Sequence, residues 1–223
     1  MIGRISEIFE SIQGEGIFFG ERQIFVRLFD CNLECRFCDT KASNYREFQP
    51  LELLQELKKY GTDFHSVSFT GGEPLLQKDF LKQVLKLTRR NGFKNYLETN
   101  GTLPNELEEV IDLLDIVAMD LKLPTSTGLG DFWDAHRRFL RISSQKEVFI
   151  KAVINQSTQV QDLRKSIEII KEVNPGCVLV LQPDANEEYE LVKEKIEFFR
   201  EICNKEDLVT CVIPQLHKMV GVK

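Results

Sequence analysis

Three cysteines stand close together in the segment Cys31-Asn-Leu-Glu-Cys35-Arg-Phe-Cys38. Thiolates are the usual protein ligands of iron–sulfur clusters. A four-iron cube needs four ligands and this loop offers three, which leaves one iron open to an outside ligand. Structural zinc is normally four-coordinate and built from two Cys or Cys/His halves. No second half is in view, because the nearest histidine, His65, stands alone. Cys177, Cys203 and Cys211 are scattered in apolar segments and read as buried small hydrophobes.

Other unusual residues follow the cysteines. Thr70-Gly71-Gly72-Glu73-Pro74 pairs two glycines, which let backbone approach a ligand closely, with a carboxylate that can accept from an ammonium group. A plain Gly-Gly turn opening a helix at Glu-Pro is the simpler reading of the same residues. Glu98-Thr99-Asn100-Gly101 contains a turn-forming Asn-Gly. Asp120-Leu121-Lys122 and Gln182-Pro183 are polar residues ending apolar runs. Ahead of the cysteines, Glu10-Ser11-Ile12-Gln13-Gly14-Glu15-Gly16 reads as a flexible loop able to wrap a polar heterocycle, or as a turn into the first core strand. Arg27 interrupts the apolar run IFVRLF. It faces solvent in an alternating strand, or faces inward and pairs with a carboxylate.

These residues need a frame. Strand-like runs fall at Gln23–Phe29, Ser66–Thr70, Asn95–Thr99, Ile116–Leu121, Glu147–Ile154, Cys177–Gln182 and Leu208–Ile213. Helical periodicity fills Leu51–Tyr60, Lys78–Asn91, Asn105–Leu114, Asp131–Leu140, Val160–Val173 and Glu187–Asn204. Such alternation predicts an α/β fold with a mostly parallel sheet and crossover helices. Seven strands are too few for a closed eight-fold barrel, so an incomplete, TIM-like barrel is expected. The motifs sit at strand ends, and in parallel α/β folds those ends converge on one mouth.

The 223 residues suit a single domain spanning 1–223. A net charge of −6 disfavours a duplex nucleic-acid partner. No apolar run reaches the length of a membrane span, and the N-terminus lacks the apolar stretch of a signal peptide. The expectation is a cytoplasmic protein with reduced thiols, no nucleic acid and no membrane.

The CxxxCxxC spacing and the GGEP turn resemble the radical S-adenosylmethionine superfamily, and imply its fold. In that superfamily the open iron chelates S-adenosylmethionine, and an electron from the cluster yields a 5′-deoxyadenosyl radical. Within it, ESIQGEG, the Cys38-Asp39-Thr40 run, GGEP and Gln215-Leu216-His217-Lys218 together resemble the 7-carboxy-7-deazaguanine synthase family over nearly the whole chain. The resemblance implies a lyase that converts 6-carboxy-5,6,7,8-tetrahydropterin to 7-carboxy-7-deazaguanine with loss of ammonia, toward queuosine and other 7-deazapurines.

The resemblance also assigns residues. Cys31, Cys35 and Cys38 would hold the 4Fe–4S cluster. Phe37, Cys38, Asp39, Gly72, Glu73, Asp120, Leu121, Lys122 and Gln182 would bind S-adenosylmethionine, with Glu73 gripping its amino group. Ile12, Gln13, Gly14, Glu15, Arg27 and Thr70 would contact the pterin. Thr40 would hold Mg²⁺, a hard cation that prefers oxygen. An electron donor such as flavodoxin or ferredoxin and a homodimer are further implications. Many members carry Ser-Pro-Lys where this chain has Asp120-Leu121-Lys122. A backbone role survives that change, and side-chain roles at Asp120 stay open. Asp-Leu-Lys is closer to the glycyl-radical activating enzymes, which lack the ESIQGEG loop. A non-catalytic iron–sulfur scaffold would leave GGEP and the strand-end motifs without a purpose. The last residues, from Gln215 on, can span about 30 Å when extended. They are expected to cap the mouth and to bring His217 toward the substrate.

Overall fold

A computed structural model describes residues 1–38 and 42–215. The expectations for Asp39, Thr40, His217 and the C-terminal cap therefore lie outside the described residues. The order of elements is β1 (Gly3–Ile12), β2 (Arg22–Leu28), β3 (Arg46–Phe48), α1 (Pro50–Lys58), β4 (Ser66–Gly71), α2 (Lys78–Arg90), β5 (Asn95–Thr99), α3 (Pro104–Glu108), β6 (Ile116–Asp120), α4 (Pro124–Thr127), α5 (Trp133–Ser143), β7 (Glu147–Ile154), α6 (Val160–Val173), β8 (Val178–Pro183), α7 (Tyr189–Lys205) and β9 (Thr210–Val212). Proline opens α1, α3 and α4, where its missing N–H is harmless and its fixed φ suits the first turn.

The described strands form one open sheet in the order β3-β1-β2-β4-β5-β6-β7-β8-β9. From β2 to β9 every neighbour is parallel, as expected of an incomplete barrel. The antiparallel pairs β1–β2 and β1–β3 were not expected. Glu10, Ser11 and Ile12, read above as part of a flexible loop, are the last residues of β1, and the loop itself begins at Gln13. The stretch expected as one helix over Asn105–Leu114 is broken into α3 and a 3₁₀ turn at Ile111–Leu113.

Alternate residues of each strand turn to opposite faces. Ile24, Val26, Phe69, Leu97, Val117, Ile150 and Leu181 lie on the outer face and pack with the helices into the main core. The inner face has two levels. The lower level is apolar: Tyr96, Ile116, Ala118, Phe149 and Val180 form a second cluster. Phe18 plugs it from the loop after β1, with ring centroids 5.8 Å from Tyr96 and 6.1 Å from Phe149. Gly16 makes that plug possible. Its φ is +67°, and a Cβ there would stand 2.3 Å from the Phe149 ring.

The upper level lies two residues further along each strand, toward the carboxyl ends. Thr70, Glu98, Asp120, Lys151 and Gln182 follow Ser68, Tyr96, Ala118, Phe149 and Val180 at that interval, and Arg27 follows Phe25. The switch from apolar to polar along one face sets where the sheet stops being core and becomes the wall of a cavity.

The glycine pair at the end of β4 lines the cavity and also packs against the chain's own backbone. A Cβ on Gly71 would come within 2.2 Å of the Leu28 carbonyl oxygen, and one on Gly72 within 1.9 Å of the Asp30 carbonyl oxygen. The backbone that needs this closeness is the chain's own. Gly72 N–H donates to Leu28 O at 3.1 Å and Glu73 N–H to Asp30 O at 2.7 Å, so the turn is laced to the start of the cysteine loop. Gly72→Ala should therefore cost at least about 3 kcal/mol of stability, through forced separation of the two backbones. Urea unfolding reads this as a lower midpoint, and an unchanged midpoint would show that the two segments are not held so tightly.

Candidate active site

The upper inner level and the loops above it enclose a cavity of about 490 Å³. Cys31, Cys35, Phe37 and Cys38 are among its lining residues. Ile12, Gln13, Gly14, Glu15, Arg27, Thr70, Gly72, Asp120, Lys122 and Gln182 line it as well. The topology thus brings together most residues singled out in the sequence.

Cys35 is buried, whereas Cys31 and Cys38 are exposed. The loop that carries them is held from several directions. Arg36 N–H donates to Thr127 O at 3.0 Å and Cys38 N–H to Cys35 O at 3.2 Å. Asn186 Nδ2 donates to Phe37 O at 3.2 Å, and Asn100 Nδ2 to Asn32 Oδ1 at 2.8 Å. Cys31 Sγ accepts from Leu33 N–H at 3.4 Å and from Asn100 Nδ2 at 3.9 Å. This donor set suits an iron–sulfur cube: three thiolates, hydrogen bonds to sulfur, and the Lys122 ammonium beside Cys35. Among the described residues no three His, Cys, Asp or Glu donors are grouped to hold a single metal ion. A cube spreads its thiolates over separate irons and needs no such point.

Two residues of the expected S-adenosylmethionine site, Glu73 and Leu121, do not line the cavity. Glu73 is fully buried and does not line the cavity. Its oxygens accept from Leu75 N–H at 3.0 Å, the Thr99 hydroxyl at 3.0 Å and Asn100 N–H at 2.8 Å. Burial pushes its carboxyl up to about 7, against the pull of those donors. The side chain braces the turn against the end of β5. Leu121 is 1% exposed and packs in the main core, because the residue between two inward ones must point outward. Asp120 and Lys122 point in and pair at 3.0 Å. The Lys122 ammonium sits 5.4 Å above the Phe37 ring centre. Burial opposes its charge, but Asp120 holds it above its ordinary value.

Gln182 is 2% exposed, and its Oε1 is buried without a hydrogen-bond partner. An orphaned acceptor on a cavity wall fits a ligand that donates there, such as an adenine amino group. Phe9 and Phe25 also line the cavity and stack at 5.2 Å with their planes 11° apart. Arg27 lies over Phe9 at 5.8 Å and meets Glu7 across the β1–β2 pair at 3.3 Å, which uses one of its five N–H donors. Glu98 and Lys151 also line the cavity, and neither was singled out individually in the sequence. Glu98 accepts from Gln13 Nε2 at 2.7 Å and from the Thr70 hydroxyl at 2.9 Å. Behind the site His136 is fully buried, donates through Nε2 to Asn100 O at 3.2 Å and is kept neutral by burial, which lowers it to about 4.

Cys177 and Cys203 lie in the main core, as expected, while Cys211 is only partly buried at the edge of the inner cluster. Burial pushes the Cys177 thiol up to about 12. Replacing Cys31, Cys35 or Cys38 with Ala should abolish iron incorporation and the brown chromophore. Cys177→Ala should retain both, which iron analysis and absorbance spectra decide. Glu73→Ala should destabilise even the cofactor-free protein by about 3 kcal/mol, since it strands the Leu75 and Asn100 N–H groups. Unchanged melting with weakened S-adenosylmethionine binding would show instead that the carboxylate faces the ligand.

Comparison with known proteins follows the same lines. The Radical SAM superfamily sequence profile matches residues 27–194. The 7-carboxy-7-deazaguanine synthase of Geobacter sulfurreducens is 35% identical, over 97% of this chain and 96% of the relative. That of Archaeoglobus fulgidus is 34% identical over the full length of both. The crystal structure of QueE from Escherichia coli superposes with a TM-score of 0.66 at 22% identity, covering 95% of this chain and 94% of that one, and so shares the fold. Radical SAM membership implies a 4Fe–4S cluster and S-adenosylmethionine as cofactors, which the three-thiolate loop and the cavity beside it fit. The chain belongs to the Radical SAM superfamily and, within it, to the family of 7-carboxy-7-deazaguanine synthases.

Proposed function

We propose that this chain converts 6-carboxy-5,6,7,8-tetrahydropterin to 7-carboxy-7-deazaguanine with loss of ammonia, toward queuosine and other 7-deazapurines. The observation that carries the reading is one cavity lined by two chemically unlike sets of residues. Three cysteines and Phe37 form one set, and Phe9, Phe25, Arg27, Thr70 and Glu98 the other. The cluster and S-adenosylmethionine, when bound, supply a hydrogen-atom abstractor, and the protein supplies position and exclusion of water.

The chain's own residues divide that work. The Phe9–Phe25 pair offers a flat apolar surface to a planar heterocycle. Arg27 turns its remaining donors to the substrate carboxylate, a fork that lysine does not reproduce. Glu98, already oriented by Gln13 and Thr70, accepts from ring N–H groups. Gly72, Asp120, Lys122 and Gln182 take S-adenosylmethionine on the side nearer the cysteines, and Asp39 extends that contact. Thr40 holds Mg²⁺ with substrate oxygens and water. His217 approaches the substrate from the C-terminal segment. Flavodoxin or ferredoxin delivers the electron, the enzyme works as a homodimer, and its place is the cytoplasm, where thiols stay reduced. Among the described residues no helix is long and apolar enough to cross a membrane. The loop from Gln13 to Gly16, which glycyl-radical activating enzymes lack, contributes to the cavity lining and argues against that alternative.

Anaerobic reconstitution followed by mass spectrometry of the pterin reaction tests the proposal. The expected result is 7-carboxy-7-deazaguanine and ammonia in equal amounts. Arg27→Lys should raise the KM for the pterin about tenfold or more, as expected for loss of a bidentate contact, with iron content unchanged. No turnover by a fully loaded enzyme, or a KM unmoved by Arg27→Lys, would count against the reading.

A further inference from the structure

Lys151 is a charged residue in the middle of the apolar strand EVFIKAVI, and it is 3% exposed. A buried ammonium is costly unless it is paired. Here it is paired twice. Its Nζ lies 2.5 Å from Glu15 Oε2, on the loop after β1, and 3.9 Å from Asp120 Oδ1, its register partner on β6. Asp120 passes the contact on to Lys122 at 3.0 Å. Glu15 in turn accepts from Nε2 of Gln215, the last of the described residues. Burial alone would lower the Lys151 ammonium, yet Asp120, Glu15 and Glu98 hold it well above its ordinary value.

Glu15 belongs to the side of the cavity proposed above for the pterin, and Asp120 to the side proposed for S-adenosylmethionine. We infer that Lys151 is a positioning residue whose ammonium ties the Glu15 loop to Asp120 and so holds the two halves of the cavity in one geometry. This rests on the assignment of substrate given above and deepens it. Without the cation, two carboxylates face one another across the cavity floor and repel. The loop that carries Glu15 then loses its charged anchor to Lys151 and keeps Gln13, which donates to Glu98 and Gln23, and the apolar plug at Phe18.

Reconstituted enzyme tests the inference by binding measurements without reductant, so that nothing turns over. The dissociation constants for S-adenosylmethionine and for 6-carboxytetrahydropterin are measured separately, with hydrogen exchange of residues 13–20. Lys151→Met should raise both constants at least about tenfold, as expected when one partner of a buried charge pair is truncated. It should also speed exchange in the loop. Glu15→Gln should raise the pterin constant and speed loop exchange, and Asp120→Asn should raise only the S-adenosylmethionine constant. Lys151→Arg should recover part of each loss. Either constant staying at the wild-type value in Lys151→Met, with a full complement of iron, overturns the inference. If Lys151→Met does not fold, Glu15→Gln carries the test, and loop exchange unchanged there overturns it. A wild-type enzyme that binds S-adenosylmethionine but no pterin would sink the functional proposal instead, leaving loop exchange to judge the tie itself.

Discussion

The site depends on how closely the backbone after β4 passes the backbone after β2. Two glycines permit an approach that any side chain would block, and two N–H groups donate across the gap to Leu28 and Asp30. This contact fixes where the cysteine loop starts, and Thr127, Asn186 and Asn100 hold the described residues beyond it. Glu73 then extends the constraint sideways. Its buried carboxylate gathers the N–H groups of Leu75 and Asn100, and Asn100 reaches back to Asn32 and Cys31. Three strand ends are thereby fixed relative to the thiolates before any ligand arrives. Such preorganisation matters for a reactive species, because a loosely held cavity admits water and stray hydrogen donors.

The upper inner level solves an electrostatic problem as well as a geometric one. Charges buried in a low-dielectric wall must be matched close at hand. Lys151 meets Glu15 and Asp120, Lys122 meets Asp120, and Arg27 meets Glu7. Glu98 is matched differently, by the neutral donors of Gln13 and Thr70. The lower level needs none of this, since it is filled by aromatic and aliphatic side chains. The two levels divide labour between stability and recognition within single strands.

Much of this was legible in the sequence. Strands of a parallel sheet are near-continuous apolar runs, and the motifs at their ends mark the mouth. Arg27 stood out as a charge inside such a run. Lys151 carries the same signal in EVFIKAVI, and strand parity also turns Leu121 outward between Asp120 and Lys122. Both followed from alternation once the strand was placed. Other features were not readable. β1 has its apolar residues interrupted by Ser and Glu, and it merges with the glycine-rich loop, so no clean period marks it. The burial of Glu73 depends on Thr99 and Asn100, which arrive from a different strand, 26 and 27 residues away. Local spacing holds no trace of that meeting.

An open barrel has two free margins, and a free margin is a template for any passing extended chain. In this sheet the margins among the described residues are β3 and β9, each only three residues long. On β3 the exposed Arg46 and Glu47 precede the one buried residue, Phe48. Such stubs present few unpaired N–H and C=O groups, and their charges penalise a second sheet that tries to add on. The fold can thus leave one side of its half-barrel open to small molecules without also inviting edge-to-edge polymerisation.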